Sequence, residues 1–237
     1  RTTAFGADKD RVIVKSSGEP TYRLPDIAYH REKVLRKYDR IIDIFGADHI
    51  ATIPDVLAAL RSMGLATDHI DVIIHQMVSF VHEGEAVKMS KRSGNVYYLD
   101  DLIADVGVDA VRYFFIMRGA TSHLEFDIKL AQEQSENNPV YYLQYAHARI
   151  ASILRFAETE AVGEENVADL SLLNHESEVT LIKELLRFPE WVVVSARTYE
   201  TQHLCTYLNN CAAAFHKFYH DCRVVTDDRA LSGARLA

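Results

Sequence analysis

Arg40-Ile41-Ile42-Asp43-Ile44-Phe45-Gly46-Ala47-Asp48-His49 decides how the first half of this chain folds. The β-branched run reads as a strand that stops at a glycine turn. The pattern that follows predicts a helix from about Pro54 to Met63 and a second apolar strand near Asp71-Val72-Ile73-Ile74. Strand, turn, helix and strand make a βαβ unit. Such units belong to parallel sheets that bind ligands beyond the C-terminal ends of their strands. Gly46, Asp48 and His49 fall at such an end. A glycine there admits the close approach of a nucleotide, and the polar pair can bond its ribose.

Upstream, Arg11-Val12-Ile13-Val14-Lys15 reads as a strand, Ser16-Ser17-Gly18-Glu19-Pro20 as its turn and Thr21-Tyr22-Arg23 as the returning strand. A helix is expected from near Pro25 to about Tyr38. Tyr22 and Asp26 then straddle a strand-to-helix junction, where side chains can converge on a small ligand. The same pair also reads as a buried tyrosine and a helix-start aspartate that satisfies free backbone N–H groups.

Downstream, the apolar run from Val72 to Val81 and a turn at Glu83-Gly84-Glu85 lead into Lys88-Met89-Ser90-Lys91-Arg92-Ser93-Gly94-Asn95. Such a run can be a solvated basic turn. It can also be a lysine-bearing loop that grips a triphosphate, neutralises the departing pyrophosphate and uses its glycine to close and reopen. Helices are expected at Asp100 to Val106, at Asp109 to Met117 and at Ile128 to Gln134, with Thr121 to Asp127 extended between the last two. Ser135-Glu136-Asn137-Asn138-Pro139 reads as a hinge. Beyond it the chain is nearly all helical: Val140 to Ala157, Glu176 to Phe188, Trp191 to Tyr199 and His203 to Cys222, with an acidic loop over Glu158 to Asp169. Pro189 is expected between two helices. Leu172, Leu173, Val179, Ile182, Leu185 and Leu186 are the expected bundle core.

The chain has 237 residues, 48% hydrophobic and 25% charged, the composition of an ordinary globular protein. No apolar run approaches the ~20 residues that span a bilayer. A net charge of −8 argues against a nonspecific coat on nucleic acid, although basic residues can still gather on one face. Cys205, Cys211 and Cys222 lack metal-ligand spacing and read as reduced thiols of a cytoplasmic protein, with no metal site expected.

The lysine loop resembles the KMSKS signature of class I aminoacyl-tRNA synthetases, with Arg92 at the second serine. Three further stretches resemble the arginyl-tRNA synthetases: Pro20-Thr21-Tyr22 with Asp26-Ile27-Ala28-Tyr29-His30; Asp43 to His49; and Glu133-Gln134-Ser135-Glu136-Asn137-Asn138-Pro139-Val140-Tyr141-Tyr142-Leu143-Gln144-Tyr145-Ala146-His147-Ala148-Arg149. They occur in the family's order along nearly the whole chain. The resemblance implies an α/β plus all-α fold: the C-terminal part of a Rossmann-like parallel-sheet catalytic domain over 1–136, then a helical-bundle anticodon-binding domain over 137–237.

It also implies roles. Tyr22, Asp26 and His49 would hold the arginine substrate, a carboxylate suiting the planar donor fork of a guanidinium. Gly46, Asp48, His49, Gln76, Met77, Val78, Lys88, Met89, Ser90 and Lys91 would bind ATP, and Lys88 and Lys91 would be catalytic. Tyr142, Tyr145 and Tyr219 would contact tRNA by stacking on unpaired bases, unless these residues are core packing. ATP and Mg²⁺ would enter as a substrate complex with no tightly bound cofactor. The partners would be tRNA(Arg), ATP and L-arginine, with no membrane, and the protein would be a monomer.

The family's second signature, a His-x-Gly-His-like element, occurs nowhere in this sequence. The expectation is therefore a fragment that lacks the N-terminal half of the catalytic domain and the end of the helical domain. Such a fragment should show no arginine-dependent ATP–pyrophosphate exchange by itself, a result that an exchange assay on the 237-residue polypeptide checks directly. Two other readings stay open at this level. One is another class I synthetase, of the cysteine or methionine type, for which a carboxylate at Asp26 has no purpose. The other is a non-catalytic tRNA-binding module.

Overall fold

A computed structural model describes residues 1–86, 98–160, 162 and 168–237. The chain divides into two compact units, residues 1–78 with 120–124, and residues 79–119 with 125–237.

The first unit is built on the anticipated βαβ element. Strand β1 (Ile41–Gly46) pairs in parallel with β2 (Ile70–His75), from Ile41 opposite Ile70 to Gly46 opposite His75. Between them lies α2 (Ile53–Ser62), which carries Pro54 in its first turn, where a missing N–H costs nothing. Helix α1 (Arg23–Leu35) precedes β1 and packs on α2 through Ile27, Val56 and Ala59. A second cluster of Ile41, Leu60 and Ile70 joins both strands to α2, and Leu60 is wholly buried. The period of two along β1 turns Ile41 and Asp43 inward and leaves Ile42 and Ile44 45% and 66% exposed. Among the described residues β1 pairs with β2 alone.

Two sequence expectations need correction here. The anticipated Arg11–Lys15 and Thr21–Arg23 hairpin reduces to one antiparallel bridge, Val14 to Pro20. Gly18, at φ +84°, turns the chain, and Arg23 already belongs to α1. Val12, Ile13 and Val14 stay exposed, so this run has no apolar face to bury and no reason to extend its pairing. The apolar run from Val72 to Val81 is two strands and not one. β2 ends at His75, and β3 (Val78–His82) belongs to a different sheet, in the order β4-β3-β5 with β4 (Glu85–Ala86) and β5 (Leu124–Asp127). The break falls at the polar pair His75-Gln76, but the apolar pattern on either side does not show which sheet each strand joins.

The second unit stacks that small sheet on α3 (Leu99–Val106), α4 (Val108–Ile116) and α5 (Ile128–Gln132). Gly107, at φ +84°, separates α3 from α4. Phe126 of β5 is fully buried, with the rings of Phe80, Phe114 and Phe115 centred 5.6, 5.2 and 5.7 Å away. The expected hinge is a short, well-anchored turn. Asn138 is buried, its amide donating to the carbonyls of Ala131 and Glu133 while its oxygen caps the Val140 N–H of α6 (Pro139–Thr159).

Helices α7 (Glu176–Leu186), α8 (Phe188–Thr198), α9 (Gln202–Asp221) and α10 (Arg229–Leu236) complete the bundle. Pro189 sits in the first turn of α8 and not between helices. The bundle core also differs from expectation. It is formed by Ala146, Ala212, Phe215, Phe218, Cys222 and Val224, whereas Ile182, Leu185 and Leu186 are exposed. Long helix α9 supplies three of these six residues, Ala212, Phe215 and Phe218, because it packs against α6, α7 and α8 at once, an outcome of topology that helical spacing in α7 alone cannot give. Buried Glu178 ties α10 to α7. Burial opposes its charge, but the His175 N–H and the Arg235 guanidinium, 2.7 Å away, hold the carboxyl below its ordinary range. Tyr113 of α4 accepts from Asn209 of α9 at 2.7 Å, and burial pushes its hydroxyl up to about 12.

Candidate functional site

In the first unit, the parallel register places the turn after β1 and the turn after β2 at the same sheet edge, because Gly46 stands opposite His75. Immediately beyond Gly46, Ala47–His49 form one 3-10 turn. An added Cβ at Gly46 would lie 2.7 Å from an Asp48 carboxylate oxygen, so glycine lets that side chain fold back over the strand end. The His49 ring stacks on Phe45 at 5.6 Å, and Phe45 stacks on His30 at 6.2 Å.

Asp26 and His49 line one narrow cleft of about 10 Å³, together with His30, Asp43 and Phe45 and the side chains of Thr52, Ile53 and Val56. Asp26 is half-buried and does not cap its helix; the residue before α1 is Tyr22. Among the described residues, no hydrogen bond or ion pair holds its carboxylate. A carboxylate beside aromatic and apolar walls suits a cation with a planar donor face.

The other expected residues are placed less tightly. Tyr22 is 60% exposed, with the Arg23 guanidinium 4.7 Å above its ring, and lies outside the cleft lining. Asp48 is exposed, 3.8 Å from His49. Gln76 donates its backbone N–H to the Ala120 carbonyl at 2.8 Å, so among Gln76, Met77 and Val78 that N–H is already engaged. Lys88, Met89, Ser90 and Lys91 lie outside the described residues.

Sequence reading missed two buried charge clusters under this region. Asp43 receives the Nε2–H of His30 at 2.9 Å and the ammonium of Lys33. Asp55 receives the Nε–H groups of Arg11 and Arg23 at 3.0 and 3.1 Å. One signal was available for the first: Asp26, His30 and Lys33 recur at i, i+4 and i+7, on one face of α1. For the second there was none, since its members stand 44 and 32 positions apart.

In the second unit, Tyr142 and Tyr145 of α6 meet His216 and Tyr219 of α9. Tyr142 and Tyr145 lie 4.6 and 5.6 Å from the His216 ring. Arg149 stands over the Tyr145 and Tyr219 rings at 4.9 and 4.7 Å and donates to both hydroxyls. Burial raises the Tyr142 hydroxyl above its ordinary value. Tyr142 and Tyr219 pack partly against the bundle core, so their packing and a surface role coexist. Beside them, Arg149, Tyr219, His220 and Arg223 border an open cleft of about 470 Å³ that also includes Ile153, Phe156 and Val224. Arg149 and His216 were not singled out in the sequence.

An αβ element that gathers a carboxylate at the edge of a parallel sheet, followed by a bundle with a cation-aromatic face, is the arrangement of a class I aminoacyl-tRNA synthetase. Residues 2–115 match the class I (R) tRNA synthetase catalytic domain and residues 143–237 the DALR anticodon binding domain. The arginine–tRNA ligase of Salinibacter ruber is 51% identical over 236 residues, covering 100% of this chain and 42% of that protein. A Campylobacter jejuni crystal structure, provisionally assigned as an arginyl-tRNA synthetase, superposes with a TM-score of 0.88 at 37% identity, covering 99% of this chain and 51% of the other. The Thermus thermophilus arginyl-tRNA synthetase shares the fold, with a TM-score of 0.74 at 22% identity over 95% of this chain and 47% of its own. The chain belongs to the arginyl-tRNA synthetase family. It spans about two-fifths of the length of the curated relatives it matches.

Proposed function

We propose that the full-length protein containing this chain activates L-arginine with MgATP and transfers it to the 3′ end of tRNA(Arg), working as a cytoplasmic monomer. The observation that carries the reading is the shared cleft of Asp26 and His49 at the end of β1, in a chain half identical to an arginine–tRNA ligase. Residues 1–136 contribute to activation and residues 137–237 to anticodon binding. α6, which opens the second part, starts at Pro139 and carries Tyr142 and Tyr145.

In the first step the arginine carboxylate attacks the α-phosphorus of ATP and pyrophosphate leaves. Asp26 binds the guanidinium, Tyr22 closes over it, and His49 lies between amino acid and ribose. Gly46 and Asp48 line the nucleotide side. Met77 and Val78 supply backbone contacts to adenine, since the Gln76 N–H is bonded within the fold. Lys88 and Lys91, within Lys88-Met89-Ser90-Lys91, neutralise the phosphates; this assignment rests on the sequence. In the second step a ribose hydroxyl of the tRNA attacks the activated carbonyl and AMP leaves. Throughout, the protein positions the reactants and stabilises developing charge. Tyr142, Tyr145 and Tyr219 stack on unpaired anticodon-loop bases.

Lys91→Ala in the full-length protein tests the catalytic reading. It should cost about 2–4 kcal/mol of transition-state stabilisation, by analogy with the loss of one oxyanion donor. Arginine-dependent ATP–pyrophosphate exchange reads the loss. An unchanged rate would instead favour a tRNA-binding module without catalysis.

A further inference from the structure

His30 is buried, 7% exposed at its side chain, yet both ring nitrogens face acceptors. Nδ1 lies 2.7 Å from the main-chain carbonyl oxygen of Asp26, and Nε2 lies 2.9 Å from an Asp43 carboxylate oxygen. Both ring nitrogens are thus engaged within the fold, one by the helix backbone and one by a carboxylate. Lys33 bonds the other Asp43 oxygen. The face of the same ring lies on Phe45, 21° from parallel, and Phe45 lies under His49 at 26°. One side chain therefore touches α1 at Asp26, β1 at Asp43, and the aromatic column that ends in His49.

We propose that His30 is a positioning residue for the amino-acid substrate: it fixes the first turn of α1 against β1, so that the Asp26 carboxylate and the His49 ring face the same cleft at a set separation. This rests on the reading of that cleft as the guanidinium site. Buried His30 borders the cleft together with Asp43, but both its ring nitrogens are already bonded within the fold. It acts through its two hydrogen bonds and its stack, and Asp43 acts with it as one unit.

Steady-state exchange kinetics on the full-length protein test this, with Asp26→Asn as the reference. His30→Gln and Asp43→Asn should each raise the KM for arginine about tenfold and leave the KM for ATP within about twofold, and the double variant should be little worse than either single, because members of one network are not additive. His30→Phe keeps a flat ring on Phe45 but neither hydrogen bond, and should show the same arginine-specific rise. Should His30→Phe fail to fold in a melting curve, the His30→Gln and Asp43→Asn pair decides. The inference is overturned if Asp26→Asn raises the arginine KM while His30→Gln and Asp43→Asn do not, or if they shift both KM values alike. If Asp26→Asn itself leaves the arginine KM unchanged, the guanidinium reading fails and this inference falls with it, so the two failures are told apart.

Discussion

Asp26→Asn in the full-length protein should raise the KM for arginine steeply while the melting temperature stays put. The asparagine keeps the shape of the side chain but offers a substrate guanidinium a neutral amide in place of a carboxylate. Truncating one partner of a hydrogen-bonded charge pair costs about 2–5 kcal/mol, and each 1.4 kcal/mol is a factor of ten. Exchange rates measured against arginine concentration give the number. Folding should be spared, because Asp26 does not cap α1 and its carboxylate lines a cleft. The KM for ATP should move little. An arginine KM within twofold of the parent would remove Asp26 from the site.

Phe126→Ala should be the most damaging single change to the second unit's stability. Its ring is fully buried among three other phenylalanine rings. Two of them, Phe114 and Phe115, sit on α4, so a void there loosens helix and sheet together. Large-to-small changes at such sites cost about 3–5 kcal/mol through lost transfer energy and an unfilled cavity. Chemical denaturation followed by far-UV circular dichroism should show an earlier midpoint, whereas Leu186→Ala, at 74% exposure, should leave it nearly unmoved. Equal effects at both positions would mean that the core has been misplaced.

Much of this was legible in the sequence where local rules and tertiary demand agree. The βαβ unit could be read from a β-branched run, a glycine turn and proline in the first turn of α2, because each feature acts within a few residues. His49 could be placed at a strand end for the same reason, whereas the strand expected just before Asp26 is the start of α1. The Val72–Val81 run misled, since the polar pair His75-Gln76 inside it reads equally well as the exposed side of one strand. The bundle core misled as well. Leu185 and Leu186 have the right period, but which face of α7 is covered depends on where α9 lies. Buried Asp43 interrupts an apolar run in a way that sequence alone treats as noise. Only its partners His30 and Lys33, brought from the preceding helix, explain it.

The outward flank of β1 has a practical bearing. Ile42 and Ile44 offer water two branched aliphatic side chains from a strand that has one neighbour among the described residues. Parallel strands ordinarily persist only when covered on both faces. Among the described residues, Ile42 and Ile44 thus leave branched apolar surface facing water on a strand with a single neighbour, so polar replacements there should cost the fold little.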